Sequence, residues 1–132
     1  MKSRGFTIVE LIVVIAVIGI LAAISIVSYS AIQNNAKVTT LEGDLRGASS
    51  QLESFKHSST GTGAYAAAND CSATPVAYSI CLKGSSGTTF QYTFTEVSNS
   101  FCVTATNGKL AYNVSSSDTK PVAGVCPGHT AP

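Results

Sequence analysis

The side chains equipped for chemistry are sparse in this chain, and their spacing narrows what they can do. Two histidines, His57 and His129, lie far apart in sequence, each in a setting rich in Gly, Ser and Thr that suggests solvent. The acids are scattered, with Glu42, Asp44 and Glu53 on one stretch and Asp70, Glu96 and Asp118 alone. Paired carboxylates for acid–base work would have to be gathered by folding, and no spacing points to it. A calcium loop wants several acids in one oxygen-rich turn, and neither Asp70 nor Asp118 has others nearby. No phosphate-cradling or dinucleotide glycine pattern occurs. The expectation is a protein that is not an enzyme and holds no metal or cofactor. Two features ask for an explanation: four cysteines, and one acid, Glu10, placed inside an apolar run.

The cysteines, Cys71, Cys81, Cys102 and Cys126, all fall in the polar part of the chain. An even number behind an export-like N-terminus reads as two disulfides formed in an oxidising space. Zinc is the weaker reading, because no C-x-x-C pair is present and the histidines lack ligand spacing. Three pairings are possible and the sequence does not choose among them. The local solution, Cys71–Cys81 with Cys102–Cys126, closes two short loops and is the expectation carried forward.

Glu10 belongs to the segment KSRGFTIVELIVVIAVIGILAAI, residues 2–24. From Phe6 to Val27 only Thr7, Glu10, Gly19 and Ser25 interrupt the apolar character. As a helix these residues would span roughly 33 Å, enough to cross a bilayer of ~30 Å. Lys2 and Arg4 would hold the N-terminus on the cytoplasmic side, leaving the polar part outside. An uncleaved anchor, a secretory signal cut after the run, and a buried soluble helix are three readings of such a segment. The run is long for a signal and too continuously apolar for a soluble core, and none of the three uses the acid. A carboxylate inside a membrane is costly and should have a partner or a task. Cutting between Gly5 and Phe6 would supply a partner, because it frees an α-amino group four residues before Glu10. The two could pair on one helix face or between neighbouring subunits, where the pair would lock the register of packed helices.

At these residues the chain resembles the type IV pilins and is similar to their relatives, the pseudopilins of type II secretion. The likeness covers about residues 2–33: a basic leader ending in Gly5, an aromatic Phe6, Glu10 as fifth residue of the cut chain, then an unbroken apolar run. The resemblance implies cleavage after Gly5 by a prepilin peptidase, N-methylation of Phe6, and Glu10 meeting the Phe6 amine of an adjacent subunit during assembly. It implies as partners the chain itself in a helical homopolymer and an inner-membrane assembly machinery with its ATPases. The membrane would hold the precursor before an extracellular filament forms, with adhesion, twitching motility or DNA uptake belonging to the whole fibre. A minor pilin, a pseudopilin, or a bitopic anchor carrying an extracellular binding domain are the alternatives. Many type IVa pilins carry a proline where this chain has Val27, so a proline-dependent melted segment is not expected, although Gly19 remains a soft point.

The elements that must position these residues follow from periodicity. Val38, Leu41, Leu45, Ala48, Leu52 and Phe55 recur at steps of three and four, one stripe of a helix. No proline interrupts residues 6–55, so a single helix is expected, oily all round in its first half and amphipathic in its second. Period-two alternation then predicts four strands: around Val76, Tyr78, Ile80 and Leu82; around Phe90, Tyr92 and Phe94; around Phe101, Val103 and Ala105; and around Leu110, Tyr112 and Val114. The predicted fold class is α+β, a long N-terminal helix on a small antiparallel sheet of about four strands, pilin-like. The expected divisions are a leader at 1–5, a membrane or filament-core helix at 6–27, its amphipathic half at 28–56 and a globular region at 57–132. By parity Cys102 opposes Phe101 and Val103, so it should face away from the helix. A C-terminal segment crossing the outer face could reach it through Cys126, like the disulfide-bounded C-terminal loop of the pilins. The tail from Ser115 onward shows no strand pattern. Without Lys2 and Arg4, six basic residues face seven acidic ones, so strong direct nucleic-acid binding by a single subunit is not expected.

Overall fold

The structure, a computed structural model, describes residues 5–58 and 63–132 of the chain; the basic leader residues Lys2 and Arg4 lie outside the described residues. One helix, α1, runs Ile8–His57. It contributes to two units, an N-terminal one through Ala36 and a globular one, Lys37–Pro132. In the first unit Ile, Val, Leu and Ala surround the helix axis, and the large apolar side chains from Phe6 to Ile26 stand exposed. This helix is long and apolar enough to cross a membrane by length and composition. In lipid a helix satisfies its own backbone, which outweighs the modest helix propensity of so many β-branched residues. Val27 stands where a proline would break the ladder, and the helix runs through it.

In the globular unit the same helix becomes one-sided. Leu41, Leu45, Ala48 and Leu52 are buried and Phe55 is partly so, whereas Arg46, Gly47 and Ser50 face out. Lys56 and His57 occupy its last turn, where positive charge suits the negative end of the helix dipole. The stripe packs on a four-stranded antiparallel sheet. Two short strands come first and lie outside it: β1, Ala68–Asn69, and β2, Ser79–Ile80, which pair parallel. The sheet itself is β3, Thr89–Thr95; β4, Ser100–Asn107; β5, Leu110–Ser115; and β6, Val122–Ala123, in that spatial order. Register places apolar residues side by side on the helix face. Phe90 pairs with Ala105 and Ala105 with Tyr112; Tyr92 pairs with Val103 and Val103 with Val114; Phe94 pairs with Phe101. Asn107 pairs with Leu110, so Gly108 and Lys109 form a two-residue hairpin loop. Gly108 has φ 61°, which a side chain would resist.

Two expectations are corrected. The alternation at 76–82 does not make a sheet strand: only Ser79–Ile80 pairs, and it pairs with β1. Val76 and Tyr78 are exposed, and Tyr78 adopts φ 57°. The backbone here is committed to a turn, because the Asp70 carboxylate accepts the N–H groups of Ser72 and Val76, both at 2.9 Å, and Pro75 has no donor to offer. The fourth strand comes instead from the tail expected to be irregular. Val122 and Ala123 pair with Asn113 and Tyr112, a strand too short to show a period.

The loop between helix and sheet also supplies core. Tyr65 and Ala66 are buried although their sequence setting is polar. The Tyr65 ring meets Phe101 edge-on at 4.8 Å, and its hydroxyl donates to Glu53 on the helix. Asn99, at φ 44° in the β3–β4 turn, holds this loop from the far side. Its Oδ1 accepts the Tyr65 N–H at 3.1 Å and its Nδ2 donates to the Gly63 carbonyl at 3.1 Å.

Candidate assembly site

At the head of α1, Gly5, Phe6 and Thr7 precede the first helical residue and are exposed. A Cβ on Gly5 would meet nothing within 4 Å among the described residues. Thr7 is the N-cap. Its N–H and its hydroxyl both donate to the same Glu10 oxygen, at 2.9 and 2.8 Å, and its Oγ1 accepts the Glu10 N–H at 3.3 Å. This is a capping box, in which a threonine and a glutamate three residues on satisfy one another's otherwise unpaired groups. Glu10 therefore already has a task in the uncut chain: it closes the first turn of the helix. Threonine followed three residues later by glutamate was the signal for this in the sequence, and the search for a charged partner passes over it. In the uncut chain the Phe6 nitrogen is a peptide nitrogen, so a Phe6 amine can partner Glu10 only after cleavage.

In the globular unit both disulfides join local partners. Cys71 and Cys81 have Cα atoms 4.7 Å apart, and Cys102 and Cys126 6.1 Å apart. Cys102 lies on β4 with its partner on the C-terminal segment, which crosses the face of the sheet away from the helix. There the Cys126 N–H donates to Thr104 Oγ1 at 2.9 Å, and Gln91 and Thr130 exchange two hydrogen bonds of 2.8 and 2.9 Å. His129 is not a solvated loop residue. It is half-buried, with Nε2 2.6 Å from Thr93 Oγ1 and Nδ1 2.7 Å from Thr104 Oγ1. His57 is exposed, 4.0 Å from Glu53. Among the described residues no group of three His, Cys, Asp or Glu side chains converges as metal ligands would.

Residues 1–26 match the family model of the prokaryotic N-terminal methylation motif. Over 55 residues the chain is 34% identical to type II secretion system core protein G of Pseudomonas aeruginosa, a stretch covering 42% of this chain and 39% of that relative. The chain thus spans well under half of the length of the curated relative it matches. No solved structure matches. Motif, match and a long helix on an antiparallel four-stranded sheet together support a type IV pilin-like protein. More closely, the chain carries the N-terminal methylation motif at the head of a helix that is long and apolar enough to cross a membrane by length and composition.

Proposed function

We propose that this chain is the repeating structural subunit of a type IV pilus, and that its activity is assembly rather than catalysis. The observation carrying this reading is the helix over 8–26, apolar around its axis and exposed, with a single acid at its head. Such a surface is stable only in lipid or against other helices, and a filament core supplies the second. In this reading a prepilin peptidase cuts the Gly5–Phe6 bond, Phe6 is N-methylated, and Glu10 takes the amine of a neighbouring subunit inside the apolar core. The inner-membrane assembly machinery and its ATPases lift the processed chain from the membrane into an extracellular fibre that serves adhesion, motility or DNA uptake. The disulfide-bounded C-terminal segment on the outer face of the sheet favours a pilus subunit. The match to a type II secretion core protein favours a second reading, a pseudopilus subunit.

Mass spectrometry of filaments sheared from cells tests both. An abundant chain beginning at N-methylated Phe6 is the expected result. A processed but scarce chain would transfer the assignment to a minor pilin or pseudopilin. An unprocessed chain confined to membranes would overturn the proposal in favour of an anchored extracellular domain.

A further inference from the structure

We propose that His129 is a proton-operated latch: its neutral ring clasps the segment Cys126–Thr130 to the outer face of the sheet, and protonation releases that segment while the Cys102–Cys126 bridge keeps it tethered. The ring spans two strands, facing Thr93 on β3 through Nε2 and Thr104 on β4 through Nδ1. Thr104 is fully buried, and its oxygen already accepts the Cys126 N–H. With a neutral ring one tautomer satisfies every group. Thr104 then gives its hydroxyl proton to the Nδ1 lone pair, and the Nε2–H donates to Thr93. Protonation turns Nδ1 into a donor. Thr104 Oγ1 must then accept from both Cys126 and the ring, and its own hydroxyl proton is left without an acceptor where water does not reach. A buried donor without a partner opposes docking.

Among the described residues no ion pair reaches the ring to offset the new charge. The strands beneath present Gln91 and Thr93 from β3, Cys102 and Thr104 from β4, and Asn113 and Ser115 from β5. The segment itself brings Cys126 and Thr130. None of these titrates, since both cysteines are bridged. Consistent with that setting, burial pushes the His129 ring below its usual value of 6.5. The remaining tie, the paired bonds between Gln91 and Thr130, is exposed, where water competes for it. Pro127 also walls a hollow of about 290 Å³ lined by Thr95, Ser100 and Ser115–Ser117, so release would open that hollow to a neighbouring surface.

The sign follows from linkage. A ring whose docked pKa lies below 6.5 supports docking fully above that value, and the support fades as pH falls below it. One proton limits the change to about tenfold per pH unit, and the loss stops once the docked pKa is passed. Amide hydrogen exchange on the full chain in detergent micelles, corrected for the intrinsic rate at each pH, reads this directly. Between about pH 7.5 and 5, protection at His129 and Thr130 should fall, by no more than about tenfold per pH unit, while the β4–β5 pair keeps its protection. A flat profile in the unaltered chain overturns the latch. His129→Gln should abolish the pH dependence, and the same pH-dependent loss in that variant would also overturn it.

Discussion

Tyr65 shows how much one residue can hold together. It is buried, its ring abuts Phe101, its hydroxyl donates to Glu53, and the Lys56 ammonium lies 4.4 Å from the ring centre. Burial, reinforced by the Glu53 hydrogen bond and charge, pushes its phenol up to about 12. A raised folded pKa means that this stabilisation is complete below the ordinary value of 10 and drains away as pH climbs from 10 towards 12. Tyr65→Phe keeps the ring and removes the hydroxyl. Chemical denaturation near neutral pH should register a loss of about 1 kcal/mol. The alkaline fall in stability should be shallower in the variant, with a remainder from Tyr92, whose phenol burial also raises. A second single-residue test lies at Gly84. A Cβ there would sit 2.7 Å from Thr88 Cγ2 and 3.3 Å from an Asp44 carboxylate oxygen, and Asp44 is pinned by Ser85 N–H and Oγ at 2.9 and 2.8 Å. Thr88 is β-branched and stiff, so Gly84→Ala should cost about 1–3 kcal/mol in thermal or denaturant unfolding. Neither residue was legible beforehand. Tyr65 sits in a stretch of Gly, Ser, Thr and Ala with no period, and the need for Gly84 arises from how the loop folds Thr88 back on it beside a helix acid forty residues upstream in the chain.

Among the elements, legibility followed period length. About five turns of stripe on α1, from Val38 to Phe55, and three strands of six to eight residues repeat their pattern often enough to be read. A two-residue strand carries no period, so β6 could not be seen, and the alternation at 76–82 was a coincidence overridden by Asp70 and Pro75. Parity on β4 was the more productive inference. It placed Cys102 on the face opposite Phe101 and Val103, which is where the C-terminal segment lies. It could not show that the same segment would bury Thr104, because a threonine on an outer face gives no sign of what covers it. The stripe predicts a mutational asymmetry within one helix. Leu45 is fully buried against the sheet, whereas Leu21 stands exposed in the apolar half. Leu45→Ala should destabilise the globular unit by about 2–5 kcal/mol, and Leu21→Ala should leave its unfolding midpoint unchanged. Equal effects would mean that the apolar half takes part in the core of the globular unit.

For the molecule as a whole, the question is what Glu10 is for, since the proposed function adds to its observed cap a second use that makes different demands. As the closing residue of a capping box it needs only an acceptor that reaches back to the Thr7 N–H, and glutamine does this as well as glutamate. As the partner of a neighbour's freed amine it needs a negative charge, because an ammonium in an apolar core is not neutralised by an amide. Glu10→Gln separates the two uses, where Glu10→Ala removes both. The glutamine variant keeps the Thr7 cap and the apolar run, so it should insert in the membrane and be cut at Gly5 like the unaltered chain. If the charge locks the register of packed subunits, that processed variant should nonetheless yield few or no filaments, as should Glu10→Ala. Counting sheared fibres against processed chain in membranes distinguishes a failure to assemble from a failure to be cut. Filaments from the glutamine variant in normal number would make Glu10 a helix cap alone, and the contact that sets subunit register would then have to lie elsewhere along the exposed apolar helix.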